Sequence, residues 1–294
     1  MRPQNLNSRI LLDSGDPLDT RKTLEMLGFL DGQTTNPSLI SKNPKIQERI
    51  KLGNKYLKEE IFSMYKEIVQ EISSIIPSGD ISIEVYSDLK TTAEEMIEQA
   101  EQMNFWVKNG RIKLPTTKEG LKAAALLAEE GIKLNMTLCF SQMQAAGIYS
   151  ATLGSKFPLF VSPFIGRLDD IGKEGIDLIR NILKMFHNSD KHVEVLAASI
   201  RDLDHFMYTL YLKSDLLTVP LNVLVEWYKS GMKIPDRKVD KEFIDQDDYF
   251  TKKFDRINYE EIDLNRELIV YDIFHELTEK GVDKFAKDWN DLII

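Results

Sequence analysis

The chain has 294 residues, 43% of them hydrophobic, and a formal net charge of −9, which gives no support to nucleic-acid binding because that function needs a basic stripe. The single cysteine, Cys139, excludes a disulfide framework and a cysteine metal cluster, and the four histidines form no recognisable ligand pair. No apolar stretch approaches the ~20 residues that cross a bilayer, and no signal-peptide core follows Met1, so we expect a soluble cytoplasmic protein without membrane contact.

Short apolar runs alternate with helical patterns from the start of the chain. Residues 9–13 predict a first strand, and Asp16-Pro17 predicts the N-cap and first position of a helix. A second strand is expected to start at Phe29-Leu30, followed by a polar loop over residues 34–38. Apolar residues between 46 and 75 recur at threes, fours and a seven, which predicts one long amphipathic helix.

Six further apolar segments predict strands three to eight. They cover residues 81–85, 112–114, 132–138, 157–164, 193–199 and 216–220. Helical patterns separate them, and Thr92 with Glu95 forms a capping box before one of these helices. Eight strands alternating with helices, without a second core, predict a single TIM (β/α)8 barrel over residues 1–235.

A lysine interrupts the fourth strand at its carboxyl end. Lys113 lies between two apolar neighbours, and Pro115 ends the strand because it cannot extend a buried ladder. Thr116 with Glu119 then predicts a capping box that opens a helix. A TIM barrel places its chemistry at the carboxyl ends of its strands, so we expect Lys113 at the active face.

Burial of a lysine disfavours its ammonium form, and a neutral amine is the nucleophile that forms a Schiff base with a ketone. The alternative is that Lys113 reaches out to the solvent at the rim of the barrel. Lys133 has the same apolar flanks but follows Gly131 at the start of its strand. We therefore expect Lys133 to be an ordinary surface lysine on the stability face.

Other polar side chains also gather at predicted strand ends, and each suits a step of ketose cleavage. Asp13 is placed to remove the C4 hydroxyl proton after Lys113 forms an iminium, and Glu84 and Thr137 could hold the water that is exchanged. The side chains that could bind substrate hydroxyls or phosphate are Asn36, Asn135, Ser162, Arg167, Ser199 and Arg201. Ion pairs with Asp169, Asp170 or Asp202 are the alternative explanation for the arginines.

The last part of the chain, residues 236–294, is predicted to be an acidic connector and a C-terminal helix packed on the same domain. Asp245, Asp247 and Asp248 lack the glycine and the closing glutamate of a calcium loop, so we expect no metal site there. Residues 265–289 have a helical pattern with a plausible packing face. The pattern leaves open whether this helix covers the barrel mouth or its side.

Seven blocks in order resemble the transaldolase family, the class I Schiff-base aldolases of the pentose phosphate pathway, which are TIM barrels. The resemblance covers residues 11 to about 220 and includes Thr-Thr-Asn-Pro-Ser at 34–38 and Ile-Lys-Leu-Pro at 112–115. It implies that Lys113 is the Schiff-base lysine and Asp13 the acid/base, with Glu84 and Thr137 handling water. It implies substrate-binding residues at Thr34, Asn36, Asn135, Ser162, Phe164, Arg167, Ser199 and Arg201. The family uses sugar phosphates and neither a metal nor a cofactor, and the chain could form a homo-oligomer.

Two alternatives stay open. The related fructose-6-phosphate aldolases have Gln where this chain has Glu84 and Tyr where it has Phe164, so the residues here favour transfer over simple cleavage. A barrel that binds sugar phosphates without catalysis is the other alternative. The polar residues 108–111 interrupt the run that leads into Lys113 and predict a short fourth strand, and residues from 236 onward match no motif of the family.

Overall fold

Eight parallel strands close into a barrel in chain order, and β1 pairs with β8 to complete it. The computed structural model describes residues 2–235 and 254–294. The strands are β1 Arg9–Asp13, β2 Gly32–Thr34, β3 Asp80–Glu84, β4 Gly110–Pro115, β5 Leu134–Cys139, β6 Leu159–Pro163, β7 Val193–Ala197 and β8 Leu216–Val219. This arrangement confirms the predicted TIM barrel.

Helices follow the strands around the outside of the barrel. They are α1 Pro17–Leu27, α2 Pro37–Ser41, α3 Pro44–Lys51, α4 Lys58–Ile75, α5 Ala93–Asn104, α6 Lys118–Glu130, α7 Gln142–Ala151, α8 Ile165–Asp169, α9 Gly175–Met185, α10 Leu203–Tyr211, α11 Leu221–Lys229 and α12 Glu276–Asn290, with a short 3-10 turn at Leu268–Val270. The C-terminal helix predicted from residue 265 exists, but it begins only at Glu276. Within the described residues, no helix has both the length and the apolar character that spanning a bilayer requires.

Two of the predicted helix caps form as the sequence indicates. The Asp16 side chain accepts a hydrogen bond from the Leu18 amide, with Pro17 as the first helical residue. Thr92 and Glu95 make a reciprocal capping box at the start of α5. Both signals are local, which is why the sequence alone is sufficient to locate them.

The predicted capping box at Thr116 is wrong. Thr117 is the N-cap of α6 and accepts from the Gly120 amide at 3.0 Å. The Thr116 hydroxyl instead donates to the Thr137 carbonyl at 2.7 Å, because the chain is still beside β5 at that point. Thr116 thus joins β4 to β5 rather than opening the helix.

Two other boundaries differ from the sequence-based expectation. Strand β2 begins at Gly32 rather than near Phe29, and the segment after it contains the short helix α2 rather than only a loop. The single long helix expected over residues 46–75 is two helices, α3 and α4, separated by a turn in which Gly53 has a φ of +79°. A left-handed residue ends a helix, and glycine adopts that conformation without a Cβ clash.

The barrel interior is a packed core with charged side chains at both ends. Strand residues alternate between the interior and the helices. Leu11, Phe160, Leu196 and Leu216 form a separate buried cluster inside the barrel. In the register, Lys113 pairs with Glu84 on one side and with Asn135 on the other, so these three side chains point to the same face. The chemistry-bearing residues therefore share the carboxyl end of the interior.

Helix α12 lies against the β2–α2 region and the end of β5. Trp289 packs on Tyr65 with ring centroids 5.8 Å apart, and the last residue donates its amide to the Tyr56 carbonyl at 3.0 Å. This helix therefore crosses the carboxyl end of the barrel. Of the connector predicted from residue 236 to 263, the part up to residue 253, with Asp245, Asp247 and Asp248, lies outside the described residues.

Candidate active site

Lys113 is buried at the carboxyl end of β4, with 3% of its surface exposed, which contradicts the alternative of a solvent-reaching lysine. Its Nζ lies 2.8 Å from Glu84 Oε2 and 3.4 Å from the Thr35 carbonyl, to which it donates. Strand β4 has six residues despite its polar start, so the expectation of a short fourth strand is wrong. Arg111 is accommodated because it points into the opposite end of the barrel interior.

Glu84 is also buried, and burial raises the pKa of its carboxyl although the positive charges of Lys113 and Arg167 act in the opposite direction. Its contact with Lys113 is a close ion pair that is not aligned as a hydrogen bond. Among the described residues, the buried Thr137 hydroxyl has no hydrogen-bond partner. A buried polar atom without a hydrogen-bond partner destabilises the fold. A binding or catalytic role is one physical reason for such an atom.

Asp13 ends β1 beside β2. Its Oδ1 accepts a hydrogen bond from Thr34 Oγ1 at 2.8 Å, and that hydroxyl lies 2.6 Å from Thr218 Oγ1. Burial raises the pKa of Asp13, while the Lys113 charge, the Thr34 hydrogen bond and the Lys42 charge lower it by less. A carboxylate with increased proton affinity is suited to act as a general base near neutral pH.

A short chain of polar side chains crosses from β3 to β6. Ser162 Oγ donates to Asn135 Oδ1 at 2.6 Å, and Asn135 Nδ2 donates to Ser82 Oγ at 3.0 Å. Asn36 has a local role as the N-cap of α2, because its Oδ1 accepts from the Leu39 amide at 2.8 Å. These bonds fix the orientation of the three candidate substrate-binding side chains Asn36, Asn135 and Ser162.

A cavity of about 640 Å³ opens at this end of the barrel. Nine of the predicted site residues line it, namely Asp13, Thr34, Asn36, Lys113, Ser162, Phe164, Arg167, Ser199 and Arg201. Glu84, Asn135 and Thr137 are buried and do not belong to the lining. The structure thus groups the predicted residues into a lined cavity and a buried set. In the strand register, Glu84 and Asn135 pair with Lys113, whereas Thr137 pairs with Pro115.

The β6 and β7 loops meet closely at the candidate phosphate site. A Cβ on Gly166 would lie 2.3 Å from the Ser199 carbonyl oxygen and 2.5 Å from Arg201 Nε, so only glycine fits there. Arg201 pairs with Asp170 at 2.6 Å in an exposed ion pair. In the described part of the chain, Arg167 has no carboxylate within 4 Å. The ion-pair alternative therefore holds for Arg201 and not for Arg167.

The sequence did not predict the contribution of α12 to the cavity. Leu277, Lys280, Lys284 and Phe285 line it at helical spacing. The Phe285 ring centroid lies 6.0 Å from Lys113 Nζ and 5.3 Å from Arg167 Cζ. The spacing of Leu277, Phe285 and Trp289 indicated a helix face, but nothing local indicated which surface that face covers.

Helix α12 is fixed to the end of β5 by buried hydrogen bonds. Thr278 Oγ1 donates to the Leu138 carbonyl at 2.9 Å and accepts from Gln144 Nε2 at 2.8 Å. Leu138 has a φ of +59°, an unfavourable conformation for a non-glycine residue, directly after Thr137. A Cβ on Gly281 would lie 2.6 Å from both Leu138 and Arg167, which shows how closely the helix approaches the site.

Residues that the sequence assigned elsewhere lie outside this cavity. Lys133 immediately precedes β5 at the amino end of the barrel, and its Nζ lies 5.8 Å from the Phe157 ring centroid. It is half-buried rather than fully exposed. The His205 Nε2 atom lies 2.7 Å from Asp169 Oδ2, away from Lys113 and outside the cavity lining.

The family model described as Transaldolase/Fructose-6-phosphate aldolase matches residues 10–294. The chain belongs to this family. The match includes the residues after 236, so the similarity to the family extends beyond residue 220, where the resemblance by sequence motifs ends. A probable transaldolase of Caldicellulosiruptor saccharolyticus is 43% identical over 206 residues, which cover 70% of this chain and 82% of the relative. A probable transaldolase of Caulobacter vibrioides is 34% identical over 281 residues, which cover 96% of each chain.

Proposed function

We propose that this member of the family is a transaldolase, which transfers a dihydroxyacetone unit between sugar phosphates through a Schiff base on Lys113. One observation carries the proposal. The Lys113 amine is buried 2.8 Å from the buried Glu84 carboxyl, and Lys113 lines a cavity to which six basic and two acidic side chains contribute. Such a cavity suits an anionic ketose, and the reaction belongs to the pentose phosphate pathway that the resemblance implies.

Schiff-base formation requires Lys113 to give up a proton before it attacks the ketone. Glu84 is 2.8 Å away, and its raised pKa makes it a better acceptor than an ordinary carboxylate. The carbinolamine must then lose its hydroxyl as water. Glu84 and the Thr137 hydroxyl are proposed to bind that water, since Thr137 Oγ1 is buried and has no partner among the described residues.

Cleavage breaks the C3–C4 bond, and its electron pair moves into the iminium to give an enamine. The C4 hydroxyl proton goes to Asp13, whose carboxyl lines the cavity and has a raised pKa because it is buried. An aldose phosphate leaves. When the acceptor aldose binds, the same carboxyl returns the proton as the new bond forms.

Substrate binding is assigned to the rest of the cavity. Asn36 and Ser162, which line the cavity, and the buried Asn135, which is hydrogen-bonded to Ser162, are proposed to contact the hydroxyls of the three-carbon unit, with Thr34 orienting Asp13. Arg167, Ser199 and Arg201 are proposed to bind the distal phosphate, because the forked guanidinium matches a phosphate group.

Transfer is favoured over simple aldol cleavage by Phe164. This residue lines the cavity and packs its ring 5.9 Å from that of Phe140. A phenyl ring has no proton to give to the enamine, so the intermediate can survive until an acceptor arrives. A hydroxyl at this position would favour protonation and release of free dihydroxyacetone.

The deciding experiment incubates the protein with fructose 6-phosphate, with and without erythrose 4-phosphate. Product that forms only with the acceptor supports transfer, whereas release of free dihydroxyacetone without acceptor would identify an aldolase. Binding without turnover would identify a sugar-phosphate-binding protein.

Borohydride trapping of the same mixture should label Lys113. Lys113→Met should reduce turnover by about 10⁴-fold or more, because the nucleophile is lost. Lys133→Met is the matched control and should keep both label and activity. Labelling of Lys133 instead of Lys113 would refute the assignment.

A further inference from the structure

Tyr65 of α4 is a buried side chain to which the proposed mechanism assigns no role. It has 1% of its surface exposed, and its ring packs against Trp106 and Trp289 with centroids 5.5 and 5.8 Å away. Burial raises the pKa of the Tyr65 phenol, so the hydroxyl keeps its proton at neutral pH. The hydroxyl is therefore available both as a hydrogen-bond donor and as an acceptor.

The Tyr65 hydroxyl contacts two residues at the carboxyl ends of neighbouring strands. It accepts a hydrogen bond from the Glu84 amide at 2.9 Å and lies 2.6 Å from Oγ1 of Thr35, which directly follows β2. The Thr35 hydroxyl donates its single proton to the Ser82 carbonyl at 2.8 Å. Tyr65 must therefore be the donor in its contact with Thr35.

The bond between Tyr65 and Glu84 takes the place of a bond that a regular β2–β3 ladder would contain. The last ladder bond runs from the Thr35 amide to the Ser82 carbonyl at 3.0 Å. A parallel ladder that continued would next join the Glu84 amide to the Thr35 carbonyl. In the structure Tyr65 accepts from that amide, and the Thr35 carbonyl accepts from Lys113 Nζ at 3.4 Å. The Tyr65 hydroxyl thus leaves the Thr35 carbonyl available to the lysine.

The two residues that Tyr65 contacts are also the two that contact the Lys113 amine, since Glu84 Oε2 lies 2.8 Å from Nζ. We propose that Tyr65 is a positioning residue, which sets the direction of the Lys113 amine by fixing the backbone of Glu84 and Thr35. This inference rests on the proposed function, in which that amine attacks a ketone. Tyr65 does not line the cavity, so it acts through these two residues and not on the substrate.

Loss of the Tyr65 hydroxyl should affect the reaction more than substrate binding. Without the phenol, the Glu84 amide should turn to the Thr35 carbonyl and compete with Lys113 for it. Attack of an amine on a carbonyl depends on their alignment, and a displacement of about 1 Å can cost ~100-fold in rate. The side chains that line the cavity stay in place, so KM should change little.

The test is Tyr65→Phe, which keeps the ring between Trp106 and Trp289 and removes only the hydroxyl. With erythrose 4-phosphate as acceptor, kcat should fall about 10- to 100-fold, while KM for fructose 6-phosphate stays within about twofold. The iminium on Lys113, trapped with borohydride at successive times in a single turnover, should also form more slowly. The amount of adduct at saturation corrects both rates for unfolded protein.

Tyr208→Phe is the matched control. Tyr208 is also a buried tyrosine on an outer helix, α10, and its hydroxyl accepts a hydrogen bond from Arg180 without lining the cavity. Both variants should lower Tm by about 2–6 °C, because each loses a buried hydrogen bond. Only Tyr65→Phe should lower kcat, and Tyr208→Phe should keep it within about twofold.

Three results for the variants would overturn the positioning role: an unchanged kcat in Tyr65→Phe, an equal fall of kcat in both variants, or a raised KM with unchanged kcat. An adduct on Lys113 of the native protein together with any of these results removes only the role of Tyr65. If the native protein forms no adduct on Lys113, the proposed function fails, and the positioning role fails with it.

Discussion

Both ends of the barrel interior hold charged side chains, but these charges are paired more completely at the amino end than at the carboxyl end. At the amino end, Arg9 pairs with Glu194 at 2.6 Å and Arg111 with Asp80 at 3.2 Å, and both guanidinium groups lie over the Phe160 ring. Arg111 also donates to two carbonyl oxygens. Each of these charges has an opposite charge and a packing partner, which is the arrangement expected of a stabilising network.

At the carboxyl end the charges are less well compensated. Glu84 is buried and Asp13 is half-buried, burial raises the pKa of both carboxyls around one lysine, and the Thr137 hydroxyl has no partner among the described residues. Arg111 and Lys113 are only two residues apart on β4 and point into the same interior. The comparison shows that burial of a basic side chain does not by itself identify a catalytic group. Lys113 differs from Arg111 in two ways: the neighbouring carboxyls, Asp13 and Glu84, have raised pKa values, and Lys113 lines a cavity.

After the loss of the nucleophile Lys113 itself, the largest expected effect is at Asp13. Asp13→Asn should lower kcat by about 10²- to 10⁴-fold, because the proposed base is lost. The same change should raise the unfolding free energy at pH 7 by about 0.5–2 kcal/mol. Its carboxyl has a folded-state pKa above the ordinary value of 3.8, so ionisation destabilises the fold as pH rises through that folded pKa.

Steady-state kinetics and thermal unfolding measure the two effects on one preparation. The asparagine oxygen can still accept from Thr34, so the local structure should persist. A variant that loses both activity and stability would mean that Asp13 belongs with the stabilising charges of the amino end.

Arg111 tests the other end of the barrel. Arg111→Met should lower the unfolding free energy by about 2–4 kcal/mol, because it leaves Asp80 without its counter-charge and two carbonyls without a donor. The kcat of the folded protein should stay within about twofold. Urea denaturation measures the loss, and Lys122→Met, which removes an exposed pair with Glu119, should cost less than about 1 kcal/mol. A large fall in kcat would contradict the separation of the two ends.

The pH dependence of kcat/KM tests the proposed role of the two carboxyls at the carboxyl end of the barrel. In the proposed mechanism Asp13 and Glu84 act as bases, which requires them to be ionised, and their pKa values lie above the ordinary 3.8 and 4.5. The acid limb of kcat/KM should therefore lie at higher pH than those values. Arg167→Gln removes a positive charge that lowers the Glu84 pKa, so it should move the limb to still higher pH. A pH profile of this variant that overlays the native one would show that Glu84 does not control the limb.

The smallest expected effect is at Phe285, whose ring lies near both Lys113 and Arg167. Phe285→Leu should let water approach the enamine and increase free dihydroxyacetone release a few-fold relative to transfer. Phe274→Leu is the control, because Phe274 lies in the same C-terminal region and is 65% exposed. Product analysis with and without the acceptor measures the ratio, and equal ratios in both variants would show that α12 does not shield the intermediate.

The sequence by itself determined the barrel and most of the candidate residues. The alternation of strands and helices can be read from the local spacing of apolar residues, and caps such as Asp16 depend only on neighbouring residues. The polar residues at strand ends were recognisable because they interrupt apolar runs, and parallel strands bring such positions to one end. The family resemblance then gave those residues roles.

Only the tertiary structure decided what depends on contacts distant along the chain. The placement of both Arg111 and Lys113 in the barrel interior follows from strand register, since a shift of one residue would exchange interior and exterior faces. The contribution of α12 to the cavity depends on bonds between Thr278 and Leu138, which are 140 positions apart. The raised carboxyl pKa values arise from desolvation, which exists only after the barrel and this helix have closed around Asp13 and Glu84.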